Sequence, residues 1–203
     1  MFNINIKNAI SLSIPVAIAT LTLHSTNTAA QDQQDNPGSG LSYDYAELRF
    51  VDRDFDNNGA DGDGFLVGGS YEIAPKLLVI GSYEDLDYGG SGDASTLSIG
   101  GGYIHPLQEQ IDVVGYASLI RTDTDNAGDD TGFGLAGGVR ALVAPKIEVR
   151  VLGNYVDIND NDTFFELAAD YWITEQFSAG ISVTIGGDAD TLSFGGRWYF
   201  NEK

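Results

Sequence analysis

The sequence contains no cysteine. Disulfide frameworks, thiolate metal sites and cysteine nucleophiles are therefore excluded. Basic residues are also scarce, with 10 Lys and Arg against 30 Asp and Glu. Because phosphate contacts need Lys and Arg, a net charge of −20 argues against nucleic acid as a partner. Aromatic residues make up 11% of the chain, which is too many for an acidic disordered protein.

The chain also lacks a hydrophobic run long enough to cross a membrane as a helix. The apolar stretch Ala9–Leu23 contains Pro15 and falls short of the roughly 20 residues that a spanning helix needs. It follows Lys7 and precedes small residues, so residues 1–30 are predicted to be a signal peptide cleaved after Ala30, with a membrane anchor as the alternative. Residues 31–40 are polar, with Pro and Gly, and are predicted to be a flexible leader.

What the chain does have, from residue 41 to residue 200, is alternation of apolar and polar residues between short breaks. In residues 191–200, Leu192, Phe194, Trp198 and Phe200 share one face. Successive side chains of a strand point to opposite faces, and no stretch has a helical period. We predict an all-β, up-and-down antiparallel transmembrane β-barrel over residues 41–200. It has ten strands, or eight if the third and fifth, whose facing is ambiguous, are misread, and residues 201–203 form a short tail.

The breaks between strands fall into two alternating classes. Residues 74–76, 105–109, 144–146 and 173–176 are short and nearly free of acid, whereas the other five breaks are rich in Gly, Asn and Asp. Alternate breaks of an up-and-down barrel lie at the same end. One rim is therefore predicted to be short and the other strongly acidic.

Alternation alone fits both a soluble barrel, which buries its apolar face, and a membrane barrel, which turns that face to lipid. The polar face favours the membrane barrel because it carries Arg rather than Lys, and Arg suits confined ion pairs. Aromatic residues near the strand ends, Trp172 among them, favour it further, as interfacial girdles. The predicted charge network inside the lumen comprises Glu47, Arg49, Arg140, Glu148, Arg150, Glu166, Asp170 and Arg197.

Four segments carry a family resemblance: L-S-Y-D-Y-A-E-L-R-F-V-D, D-G-D-G-F-L-V-G-G-S-Y, D-D-T-G-F-G-L-A-G-G-V-R-A-L and G-G-R-W-Y-F. With them the chain resembles the small outer-membrane β-barrels of Gram-negative bacteria, the OmpA-transmembrane, opacity-protein and OmpX-like group. It is most similar to a subgroup regulated by diffusible signal factor. The resemblance implies a porin-family architecture at the cell surface and no defined activity.

The chain end resembles the signal by which the barrel assembly machinery recognises such proteins. The residues that match it are Ser193, Gly195, Trp198 and Phe200. The tail of residues 201–203 departs from the pattern, because typical members end on the aromatic residue.

The sequence offers little catalytic chemistry. Enzymes among small outer-membrane barrels use a His at the outer rim, but His24 lies in the predicted signal peptide and His105 in a predicted short turn. We therefore expect no enzymatic activity and assign no catalytic residue.

Residues 54–59, D-F-D-N-N-G, match the opening of a calcium loop, in which alternate oxygen ligands surround the ion. Asp54, Asp56 and Asn58 are the predicted ligands for calcium or another divalent cation. Phe65 stands where the closing Glu belongs, and an ordinary solvated turn is the alternative.

These features predict a non-enzymatic, monomeric outer-membrane protein with a structural or surface-interaction role. Its acidic loops are expected to meet lipopolysaccharide through divalent cations. Barrels of about eight strands are filled by side chains, whereas about 16–18 strands leave a channel, so ten strands predict a plugged or very narrow lumen. The alternatives are a narrow cation-preferring channel and a soluble, lipocalin-like binding barrel.

Overall fold

The computed structural model describes residues 39–55, 61–89, 92–125 and 128–200. The predicted signal peptide, most of the predicted leader and the short tail lie outside these residues. The described residues contain no helix that could cross a membrane. The strands are β1 (Tyr45–Phe55), β2 (Gly62–Ala74), β3 (Leu77–Asp87), β4 (Asp93–Gln108), β5 (Ile111–Thr124), β6 (Gly128–Ala144), β7 (Ile147–Ile158), β8 (Asp160–Trp172), β9 (Phe177–Ile185) and β10 (Ala189–Tyr199).

The ten strands form one closed antiparallel barrel. Each strand pairs with its neighbours in sequence, and β1 closes the sheet by pairing with β10, from Tyr45 opposite Tyr199 to Phe55 opposite Ala189. Closure leaves no strand edge that would need a partner in lipid. The prediction of ten strands is confirmed, and the alternative of eight is wrong.

The first strand begins later than predicted. The alternation suggested a strand from residue 41, but β1 begins at Tyr45. The residues just before it leave the sheet and enter the lumen, where a different set of contacts holds them. These residues contribute to the closure of the lumen.

The outer face of the barrel is apolar and the inner face carries the charges. Leu48 and Phe50 are 49% and 54% exposed, whereas Arg49 between them is 4% exposed. A soluble barrel would show the reverse, so the lipocalin-like alternative is wrong. The two ambiguous strands, β3 and β5, turn Leu78 and Val114 inward. Their facing was ambiguous because both of their faces are apolar.

The two rims differ in acidity, as the breaks predicted, but not uniformly in length, because several strands extend into the predicted loops and β7 and β8 are joined by Asn159 alone. At one end, which we call the turn end, the connections are Pro75–Lys76, Glu109–Gln110, Pro145–Lys146 and residues 173–176. The Asp-rich connections share the opposite end, which we call the loop end. His105 was predicted to lie in a turn, but it is an exposed residue within β4, because that strand continues to Gln108.

Glycine allows neighbouring strands to approach closely at the lumen wall. A Cβ atom at Gly195 would overlap the backbone carbonyl of Leu48, and one at Gly138 would overlap that of Val151. Larger residues would push these strands apart. The curvature of the wall at these positions therefore depends on glycine.

Candidate functional site

The lumen of the barrel brings together the charged residues of the inner face. All eight residues of the predicted charge network form at least one ion pair with another member. They lie on β6, β7, β8, β10 and β1, on one side of the barrel. We call these eight residues the charged sector: Glu47, Arg49, Arg140, Glu148, Arg150, Glu166, Asp170 and Arg197.

Arg197 is the centre of the charged sector and is fully buried. Its Nε lies 3.0 Å from Glu47 Oε2, and its Nη1 lies 3.2 Å from Asp170 Oδ2 and 3.4 Å from Glu148 Oε1. Arg197 on β10 thus links carboxylates from β1, β7 and β8. Such a network closes this side of the lumen with side chains that are already fixed on the strands.

Two further arginines extend the network in opposite directions. Arg140 Nη2 lies 2.7 Å from Glu148 Oε1 towards the turn end. Arg49 bridges Glu47 and Asp170, with nitrogen–oxygen distances of 3.1 and 3.3 Å. Buried charges need such partners, because an unpaired charge away from water is strongly unfavourable.

The other side of the lumen is apolar. The residues of this side lie mainly on β3, β4 and β5. We call them the apolar sector: Leu78, Ile80, Ile104, Val114, Tyr116 and Leu152. Leu78 and Val114 are among its most deeply buried members. Because a membrane barrel usually turns polar residues inward, this cluster needs a cover that keeps it from water.

That cover is the segment before β1, Ser39–Asp44, which we call the N-terminal strap. The Asp44 carbonyl accepts a hydrogen bond from Phe200 N at 2.9 Å, and its carboxylate accepts one from Glu72 N at 2.6 Å. At the far end, Ser39 Oγ donates a hydrogen bond to Asp112 on β5. Since β5 lies four positions around the sheet from β1, the strap bars the turn end of the lumen.

The middle of the strap is held by polar and cation–π contacts. The Tyr43 hydroxyl donates a hydrogen bond to Asp112 Oδ2 at 2.8 Å, and the Tyr43 ring centre lies 4.2 Å from the guanidinium carbon of Arg140. Arg140 Nη2 also donates to the Ser42 carbonyl at 3.3 Å. Burial raises the pKa of the Tyr43 hydroxyl, against the lowering effect of the Arg140 charge, so this hydroxyl remains a donor.

The strap also supplies the apolar contacts that complete the apolar sector. Tyr43 is buried among Leu78, Ile104, Val114 and Leu152, and Leu41 packs against the same cluster. Leu41 and Tyr43 thus occupy the space that water would otherwise enter from the turn end.

Among the cavities formed by the described residues, two lie in the lumen on the loop-end side of the strap. One, of about 160 Å³, is lined by Ile80, Ser98 and Tyr116 of the β3–β5 side together with Glu47 and Arg150. The other, of about 150 Å³, lies nearer the loop end and has Glu47 and Arg150 in its lining as well. The rest of its lining is polar with two apolar residues: Arg49, Val51, Arg53, Leu66, Glu84, Glu166, Ser182, Thr184, Thr191 and Ser193.

The predicted calcium ligands lie mostly beyond what the structure describes. Asp54 is a residue of β1, whereas Asp56 and Asn58 fall outside the described residues. Within the described ranges, no three His, Asp or Glu side chains lie close enough together to hold a metal ion. The calcium site therefore stays a prediction.

The C-terminal aromatic residues divide between lipid and lumen. Trp198 and Phe200 are exposed on the outer face, while Ser193 faces the lumen and contacts Ser182 at 2.6 Å. Trp172 was predicted to belong to an interfacial girdle, but it is buried in the lumen, where it stacks on Tyr199 with ring centres 4.0 Å apart. The alternation places it inward, next to the outward-facing Tyr171.

A comparison with protein families identifies the fold. A family described as "Outer membrane protein beta-barrel domain" matches residues 16–196. The chain belongs to this family. It is therefore an outer-membrane β-barrel, located in the outer membrane; the narrower subgroup regulated by diffusible signal factor stays a prediction.

Several solved structures are similar to this outer-membrane barrel. The KdgM porin in complex with disordered oligogalacturonate has 12% identity and a TM-score of 0.45, over 79% of this chain and 100% of that one. An outer membrane channel from Pseudomonas putida F1 has 11% identity and a TM-score of 0.48, over 83% and 99%. Neisserial surface protein A has 19% identity and a TM-score of 0.39, over 77% and 95%. No curated protein sequence matches the chain significantly.

The sequence pattern of this outer-membrane barrel did not reveal the strap or its partner Asp112. Asp112 is buried and sits among apolar residues of β5, which hid it in a strand of ambiguous facing. The spacing of two tyrosines was the available signal. Residues two positions apart on a strand share a face, so Tyr43 and Tyr45 are expected on the same face as the inward-facing Glu47. The pair of Arg53 and Glu84, 3.0 Å apart near the loop end, was also missed.

Proposed function

We propose that this outer-membrane barrel is closed, and that it acts as a non-enzymatic surface protein rather than as an open pore. The observation that carries the proposal is the division of the lumen between the charged sector and the apolar sector, with the N-terminal strap across the turn end. Both sectors place buried side chains where a permeating solute would have to pass. A closed barrel leaves its rim as the functional surface.

The rim at the loop end supports a surface role through its charge. Asp residues stand directly opposite one another in the register, as in the pairs Asp52–Asp63 and Asp87–Asp93. Facing carboxylates repel each other, and divalent cations relieve that repulsion. In outer-membrane barrels the short turns face the periplasm, so the loop end is extracellular. We propose that divalent cations bridge these carboxylates to the phosphates of lipopolysaccharide.

The aromatic end of the chain is suited to recognition during assembly. Trp198 and Phe200 lie on the outer face of the last strand, where a membrane-inserted assembly machine could contact them. We propose that they, with Ser193 and Gly195, form the assembly signal and that the folded barrel is monomeric.

Conductance in a planar bilayer tests the closed state. Purified full-length protein, shown to be folded by its heat-modifiable gel shift, should give no reproducible current steps. Regular steps from the intact protein would reject the closed barrel and favour a narrow cation-preferring channel. That second candidate is favoured by the two cavities of the lumen and by the acidic rim, which would concentrate cations.

A further inference from the structure

We propose that the N-terminal strap is a gate, and that its release opens a cation-preferring path along the apolar sector. This inference rests on the proposed closed state of the barrel. It adds a second, conducting state and names the segment whose position separates the two.

The two sides of the lumen are closed by different parts of the chain. Arg197, Glu47 and Glu148 of the charged sector belong to barrel strands, so they cannot leave without opening the sheet. Leu41 and Tyr43 precede β1, so they can leave while all ten strands remain paired. Only the closure of the apolar sector is separable from the fold.

Open space lies directly behind the strap. Ile80, Tyr116 and Leu152 belong to the apolar sector that the strap covers, and they also line the cavity of about 160 Å³. On the β2–β4 side the wall of that cavity consists of small residues, with Gly69, Gly81, Ser82 and Ser98 among its lining. Withdrawal of Tyr43 and Leu41 would therefore connect this cavity with water at the turn end.

The proposed path continues from this cavity towards the loop end. The cavity of about 160 Å³ and the cavity of about 150 Å³ are both lined by Glu47 and Arg150. Arg150 forms an ion pair with Glu166, in which Arg150 Nη2 lies 2.5 Å from Glu166 Oε1. The proposed path therefore passes from one cavity to the other past Glu47 and Arg150.

The contacts of the strap determine how firmly the gate is held and which charges lie at the ends of the path. The end of the strap that lies away from β1 is held by hydrogen bonds from Ser39 and Tyr43 to a single carboxylate, Asp112. When the strap leaves, Asp112 faces the turn end without these donors, and the strand ends at the loop end carry Asp residues such as Asp63, Asp87 and Asp93. Acidic groups at both ends would raise the local concentration of cations.

Variants of the strap test this gate in planar bilayers, with the full-length protein throughout. In Leu41→Gly with Tyr43→Gly, the strap loses its apolar contacts while every strand is kept. We expect current steps, with a reversal potential in a KCl gradient that indicates preference for K⁺. The matched control is Ser42→Gly, because Ser42 contributes its backbone carbonyl to Arg140, and it should stay silent.

A second pair of variants keeps both apolar residues. Ser39→Asp places a carboxylate next to Asp112 and should expel the end of the strap, which again gives current steps. Ser39→Asp combined with Asp112→Ser exchanges donor and acceptor, so it should restore the closed state. The heat-modifiable gel shift verifies that each variant is a folded barrel before recording.

The outcomes separate this inference from the proposed function. A silent wild type together with steps in both opened variants supports the gate. Silence in all folded variants overturns the gate and leaves the closed barrel standing. Steps in the wild type that equal those of the opened variants overturn both.

Discussion

The two sides of the lumen solve the same problem with opposite chemistry. The charged sector fills its side with ion pairs between strands that are far apart in sequence, such as Arg197 with Glu47. The apolar sector fills its side with aliphatic residues and needs Leu41 and Tyr43 from outside the sheet to cover them. The comparison shows that alternation of polar and apolar residues fixes the outer face of a barrel but leaves the chemistry of the lumen open.

The largest expected effect is the loss of the central charge of the charged sector. Arg197→Met leaves the carboxylates of Glu47, Glu148 and Asp170 short of a partner in a buried site. Removing one partner of a buried ion pair costs about 3–5 kcal/mol. Urea unfolding in detergent, followed by tryptophan fluorescence, measures the change in the free energy of unfolding.

The exposed pair of Arg121 and Asp129 offers a matched control, with both side chains 59% exposed. Arg121→Met removes the same charge at the rim, where exposed pairs contribute up to about 1 kcal/mol. Equal losses of unfolding free energy in Arg197→Met and Arg121→Met would show that the charged sector is solvated. The charged sector would then not be a buried network, and its contrast with the apolar sector would be wrong.

The next largest effect is expected when a side chain of the apolar sector is truncated. Leu78→Ala should lower the free energy of unfolding by about 2–5 kcal/mol, because a buried cavity remains after the side chain is removed. Its neighbour Leu77 points to lipid and is 46% exposed. Leu77→Ala should cost clearly less, since lipid chains can fill the space. A larger loss for Leu77 than for Leu78 would mean that the inward facing of β3 is wrong.

The smallest expected effect concerns the rim, which belongs to neither sector. If Asp54, Asp56 and Asn58 bind calcium, a chelator should lower the melting temperature, and Asp54→Ala with Asp56→Ala should abolish the difference. Binding at a free calcium concentration equal to the dissociation constant stabilises by only about 0.4 kcal/mol. Identical melting temperatures with and without chelator in the wild type would remove the calcium site.

Much of the fold could be predicted because the barrel repeats one local rule. Arg49 and Leu48 face opposite sides since neighbouring strand residues must do so, and Arg between apolar neighbours indicates the lumen. The same rule was silent where both faces are apolar, as around Leu78 and Val114. Periodicity predicts which face of a strand a residue lies on, but it does not predict which side chains surround that residue in the barrel.

The position of the strap could not be predicted from alternation, for a different physical reason. Ser39 and Asp112 are 73 residues apart, and no local pattern relates them. Ser39 and Gly40 were predicted to belong to the flexible leader, because residues 31–40 are polar and contain Pro and Gly, and residues 41–44 were predicted to belong to the first strand. The order of the strap depends on an acceptor and an apolar surface that exist only after the barrel has closed.

The closure of the turn end can be measured most directly by thiol labelling of a lumen residue. The chain has no native cysteine, so Ser98→Cys in the cavity of about 160 Å³ provides a single reporter. A membrane-impermeant thiol reagent is applied to oriented proteoliposomes from the turn end. With the intact strap we predict no labelling during the time in which the same reporter reacts fully in the Leu41→Gly, Tyr43→Gly background. Equal labelling rates in the two backgrounds would contradict the closed lumen.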